Sequence, residues 1–132
     1  MNAMSLNIIL AVAAGGAIGS TLRYLVGLYA QKFAGSGLPY GTLSVNIIGS
    51  FLMGAVMAYA IAKGVAQQPH ILFLTVGVLG GFTTFSAFSY ETMALISKGE
   101  IGDAVLYIGM SVLLCLIAAA LGLYAFKGGM SG

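Results

Sequence analysis

Gly80-Gly81-Phe82-Thr83-Thr84-Phe85-Ser86-Ala87-Phe88-Ser89-Tyr90-Glu91 lies in the middle and second half of an apolar stretch that runs from Ile71 to Leu95, with a further glycine at Gly77. A span that only has to sit in lipid would be filled with Leu, Ile, Val and Ala. This one carries helix-weakening glycine, hydroxyls at Thr83, Thr84, Ser86 and Ser89, and the carboxyl group of Glu91. Polar groups at membrane depth mark an ion or substrate path. The Gly80-Gly81 pair predicts a broken helix, which is tolerated at that depth only inside protein or beside a cavity. Such a break presents free carbonyls, which suit a cation. Phe82, Phe85 and Phe88 recur every three residues, a spacing common in helix cores, but rings turned edge-on to a narrow path would attract a small anion because the ring edge is positive.

Composition places that stretch in a membrane. The chain has 132 residues, 60% of them hydrophobic and 6% charged, and a mean hydropathy of +1.05, far outside the soluble range. Four apolar stretches, about 6–30, 43–62, 71–95 and 104–126, each approach or exceed the ~20 residues that cross the hydrocarbon. The expectation is a single all-α domain of four transmembrane helices. The first stretch reads as a permanent span, since it has no basic n-region, is longer than an h-region and retains Arg23. Met1 to Ala3 precede a second methionine, Met4, and are expected to carry no function. Cys115 is the only cysteine and His70 the only histidine, the latter expected in a solvated loop, so neither a disulfide nor a histidine–cysteine zinc site can be assembled within one chain. With three acidic residues besides, no nucleophile, base and orienting partner come together, which argues against an enzyme.

Lys and Arg in short loops normally decide which way a membrane protein faces. Here Lys63 and Lys127 on one side balance Lys32 and Lys98 on the other, with Arg23 toward the second end of span one. A chain so balanced could insert both ways, and two inverted copies could pair as an antiparallel, dual-topology homodimer. Four short helices cannot enclose a pore alone. Gly15-x-x-x-Gly19, Ser50-x-x-x-Gly54 and Gly77-x-x-x-Gly81 have the small-xxx-small spacing of close helix contacts.

Arg23 is the only basic residue inside a span, and either snorkels to the headgroups or stands at the mouth of an aqueous vestibule, where it would concentrate anions. No acidic residue precedes Glu91, so an anion path fits better than a cation path. Asn46, Gly49, Ser50 and Met53 share one helical face, on which the amide is an uncharged donor or a bond to a neighbouring helix. Tyr107, Ser111 and Cys115 make a comparable stripe in span four.

Taken in order, Gly15-Gly16-Ala17-Ile18-Gly19 with Arg23, Gly41-Thr42-Leu43-Ser44-Val45-Asn46 with Gly49-Ser50-Phe51, and Gly80 to Ser89 followed by Glu91 make the chain resemble the Fluc-type bacterial fluoride channels. The resemblance covers most of the chain, while span four matches only in character. It implies an antiparallel homodimer in the bacterial inner membrane, with two fluoride pores, each built from both subunits. By position, Phe85 and Phe88 correspond to the pore phenylalanines and Asn46 to the pore asparagine. Thr42, Ser86, Tyr107 and Ser111 would supply donors along a polar track, with Glu91 nearby and Arg23 at the vestibule. Cys115 departs from the hydroxyl expected on that track. The carbonyls of Gly80 and Thr83 would hold a structural sodium ion at the dimer centre. The implied activity is passive, fluoride-selective export that limits fluoride toxicity, with fluoride, a second copy and the bilayer as partners and no nucleic acid. A small multidrug-type, proton-coupled exporter is the competing transporter, although it would be expected to carry an acid in span one. A non-transporting membrane scaffold is the remaining alternative.

Overall fold

A computed structural model of the protein describes residues 2–35 and 37–128, and all its regular elements are helices. We label them α1 (Ala3–Ala34), α2 (Tyr40–Ala62), α3 (69–82), α4 (Phe85–Ser97) and α5 (Ile101–Gly128). Four segments are long and apolar enough to cross a membrane, the third being Pro69–Ser97, which contains both α3 and α4.

The helices run past the apolar stretches because their ends are set by capping rather than by hydropathy. Asn2 caps α1, its side chain accepting from the Ser5 amide at 2.9 Å, so the helix starts ahead of the first apolar run. Met1 lies outside the described residues. Pro69 occupies the first turn of α3, where its missing N–H costs nothing and its fixed φ favours the helix. His70 therefore stands in a helical turn rather than in a loop, although its side chain is exposed as expected. Gly99, at φ 80°, separates α4 from α5 with a backbone conformation that a side chain would oppose.

Within the third span, α3 widens to π-helical geometry over Phe73–Leu79, and Thr83 and Thr84 are extended, at φ/ψ −88°/159° and −154°/122°. The helix starts again at Phe85, with the Ala87 amide donating to Thr84 Oγ1 at 3.2 Å.

Two close helix pairs form the body. In the first, α1 meets α3 through their glycines: a Cβ on Gly15 would collide with the Phe73 carbonyl and Gly77 Cα, and one on Gly81 would come within 2.8 Å of the Gly16 carbonyl. The small residues of the first and third spans thus face each other. In the second pair, α2 meets α5, where a Cβ on Gly54 would strike the Ala119 carbonyl and one on Gly122 the Phe51 carbonyl. A compact cluster of Leu43, Leu95, Ala104 and Tyr107 joins α2, α4 and α5, with Phe88 packed against it. The outer faces of α1 and α5 are apolar. Leu10, Ile18, Leu22, Leu25 and Leu28 on α1 and Leu113, Leu116, Ile117 and Leu121 on α5 are exposed, which calls for lipid or another protein surface.

Candidate functional site

The restart of the third span at Phe85 directs α4 against α2 and α5, and the polar residues of those three helices converge there. Glu91 on α4 receives two hydroxyls: Thr42 Oγ1 from α2 donates to Oε1 at 2.7 Å, and Tyr107 from α5 donates to Oε2 at 2.7 Å. Tyr107 is fully buried. Its ring touches Phe88, with centroids 5.2 Å apart and planes tilted by 47°, and Phe88 touches Phe85 at 5.4 Å and 53°. Tilted pairs place ring edges, where the quadrupole is positive, beside their neighbours.

Two cavities flank this line. One, of about 360 Å³, is bordered by Arg23, Tyr24, Thr42, Thr84 and Glu91. The other, of about 460 Å³, is bordered by Asn46, Gly49, Ser50, Met53, Thr83, Thr84, Phe85, Phe88, Ser111 and Cys115. The helical face of Asn46 and the stripe of Ser111 and Cys115 thus meet across one space. Ser111 Oγ is buried there without a hydrogen-bond partner, unusual for a buried hydroxyl unless a ligand or water completes it. Phe85 borders the same cavity but is 77% exposed, so a single chain leaves one side of the space open. Cys115 is a free, half-buried thiol in this wall. Ser86 borders neither cavity. It is exposed, and its hydroxyl lies 3.2 Å from Thr84 Oγ1.

Arg23 neither reaches freely for the headgroups nor stands wholly in the vestibule. Its Nε donates to the Gly81 carbonyl at 3.0 Å while the residue borders the smaller cavity. Asn46 is also held by backbone: its Oδ1 accepts from the Thr84 amide at 2.8 Å and its Nδ2 donates to the Thr84 carbonyl at 3.0 Å. Sequence reading singled out both side chains but not these partners, which lie 58 and 38 residues away in the chain.

The carbonyls at the end of α3 divide into two groups. Leu79 accepts from the amide and hydroxyl of Thr83, and Gly81 from Arg23. Gly80 loses its helical donor because the Thr84 amide turns to Asn46, and Thr83 loses its own because the Ala87 amide turns to Thr84 Oγ1. Two carbonyl oxygens released in this way fit a hard cation, which prefers oxygen ligands. Among the described residues, no group of three or more His, Cys, Asp or Glu side chains could hold a metal.

A family profile described as "CrcB-like protein, Camphor Resistance (CrcB)" matches residues 10–123. A protein of Thermus thermophilus named "Fluoride-specific ion channel FluC" is 49% identical over 123 residues, covering 93% of this chain and 95% of its own. Proteins with the same name from a Ruegeria species and a Caulobacter species are 50% identical over 121 residues and 51% over 116, covering 91% and 87% of this chain and 94% and 91% of their own. Nearly the whole chain takes part in these matches, all four spans included: the chain belongs to the CrcB-like family.

Proposed function

We propose that the chain is a passive, fluoride-selective ion channel, not an enzyme, that works as an antiparallel homodimer in the bacterial inner membrane and lowers cytoplasmic fluoride. The observation that carries the reading is the succession from the cavity shared by Arg23, Thr42 and Glu91, through the Thr42–Glu91–Tyr107 hydrogen bonds and the Phe88 ring, to the cavity holding Phe85, Asn46 and Ser111, in a chain half identical to proteins named fluoride channels. Among the described residues, no charged side chain borders the larger cavity, whose side-chain donors include the neutral groups of Asn46, Ser50 and Ser111 beside the rings of Phe85 and Phe88. The Ser111 hydroxyl is unpartnered and Asn46 uses only part of its hydrogen-bonding capacity.

Fluoride is small and strongly hydrated, so entry requires that donors and ring edges replace its water while a narrow path excludes larger halides. Arg23 would raise the anion concentration at the entrance. A membrane potential that is negative inside would then drive the anion outward without coupling to protons. A second copy is supported by Phe85 and the open side of the larger cavity, which have no cover within one chain. The balance of lysines between the two faces supports an inverted arrangement of that copy.

The extended pair Thr83-Thr84 supports reading the third span as a broken helix that serves two ions. The carbonyl end of α3 favours a cation and the amide end of α4 favours an anion. The Gly80 and Thr83 carbonyls would hold a structural sodium ion, whose charge would offset theirs and help keep two copies together. Ser86 supplies a donor to the track only if the second copy covers it.

The test is efflux of fluoride and chloride from liposomes containing purified protein, under an imposed potential and without a proton gradient. Rapid fluoride loss with chloride retained is the expected result. Strict dependence on a proton gradient would replace this reading with a coupled exporter, and absence of flux would leave the scaffold. The span-one acid such an exporter would be expected to have is missing, since no Asp or Glu precedes Glu91.

A further inference from the structure

Asn46 is committed to the backbone of the third span, not simply exposed to the larger cavity. In a continuous helix the Thr84 amide would close on the Gly80 carbonyl. Here it donates to Asn46 Oδ1 at 2.8 Å, and Asn46 Nδ2 returns a bond to the Thr84 carbonyl at 3.0 Å. One carboxamide therefore serves both polar groups of an extended residue, as a neighbouring β-strand would. A carboxamide has two donor hydrogens and two acceptor lone pairs, so one N–H and one lone pair remain. Asn46 borders the cavity that holds Phe85, Phe88 and Ser111. Thr83 is released separately, by the local cap of Thr84 Oγ1 on the Ala87 amide.

We propose that Asn46 is the positioning residue of the cation site: by taking the Thr84 amide it holds the chain extended and keeps the Gly80 carbonyl free for sodium, while its remaining N–H serves the anion path. The inference rests on the sodium reading given above. It makes one side chain of α2 the physical link between the two ions, so the variants that weaken sodium binding are not those that only alter the path.

The experiment measures sodium binding to the purified full-length protein by calorimetry, and the sodium-dependent rise in its unfolding temperature with choline as the replacement cation. Fluoride efflux is recorded in parallel. Asn46→Ala should move the sodium titration to about tenfold higher concentration, corresponding to the loss of one to two hydrogen bonds that hold the break. Asn46→Asp keeps the acceptor for the Thr84 amide but loses the donor, so it should bind sodium no more weakly than the unsubstituted chain while conducting fluoride more slowly. Phe88→Ile should lower flux and leave the sodium titration in place. If Asn46→Ala fails to fold, Asn46→Asp against Phe88→Ile still decides the question, because weaker sodium binding in the aspartate variant contradicts the proposed use of Oδ1. A normal sodium titration in Asn46→Ala with reduced flux would overturn the proposal and leave Asn46 as an anion ligand only. An unsubstituted protein that binds no sodium would instead remove the cation reading and this inference with it.

Discussion

Tyr107 donates its phenolic proton to Glu91 Oε2 at 2.7 Å from a fully buried position, joining α5 to α4 through one hydrogen bond. The hydroxyl is thereby committed to the carboxyl group, and Thr42 is committed likewise on the other oxygen. Both groups hold the Glu91 carboxyl in place, whereas Ser111 Oγ has no hydrogen-bond partner.

Replacing Tyr107 by Phe should leave Glu91 Oε2 without its buried hydroxyl donor. The expected cost is about 1–3 kcal/mol of stability, together with slower fluoride efflux. Denaturant unfolding in detergent checks the first and liposome efflux the second. A variant normal in both would show that the Tyr107–Glu91 bond is dispensable.

Phe88 and Phe85 should separate by readout. Phe88 is half-buried between Phe85 and Tyr107, so Phe88→Ile should remove ring edges from the proposed path and disturb packing, lowering both flux and unfolding temperature. Phe85 is 77% exposed within one chain. Its Ile variant should therefore fold with unchanged helix content by circular dichroism and still lose most of its fluoride flux.

At the crossing of α2 and α5, a methyl group on Gly122 would meet the Phe51 carbonyl and the Ala55 amide, which are backbone and cannot move aside. Gly122→Ala should destabilise by about 1–3 kcal/mol through overpacking. On the same helix, a methyl group on Gly109 would have nothing within 4 Å, and Gly109→Ala should be neutral or slightly stabilising through helix propensity. Unfolding of the two variants side by side measures the difference.

Arg23 holds the Gly81 carbonyl and borders the smaller cavity. Arg23→Gln removes the charge, so fluoride efflux should fall and lose much of its dependence on ionic strength, since salt screens attraction acting over more than ~8–10 Å. Efflux rates at low and high concentrations of an impermeant salt supply the check. An equally steep salt dependence in the variant would place the attracting charge elsewhere.

Membrane residence, the number of spans and the kinship with fluoride channels are legible in the chain itself, because twenty-residue apolar runs and the ordered glycine, asparagine and phenylalanine motifs are properties of consecutive residues. Helix ends at Asn2 and Pro69 are less legible, since capping extends helices into residues that hydropathy assigns to loops. Only the tertiary structure decided what the polar side chains hold. Asn46 takes the Thr84 backbone, Arg23 the Gly81 carbonyl, and Glu91 the hydroxyls of Thr42 and Tyr107, across 38, 58, 49 and 16 residues. The reason is physical: an apolar run reports its own preference for lipid, but a hydrogen-bonding group inside the membrane must find whichever partner the packing of distant helices brings within about 3 Å.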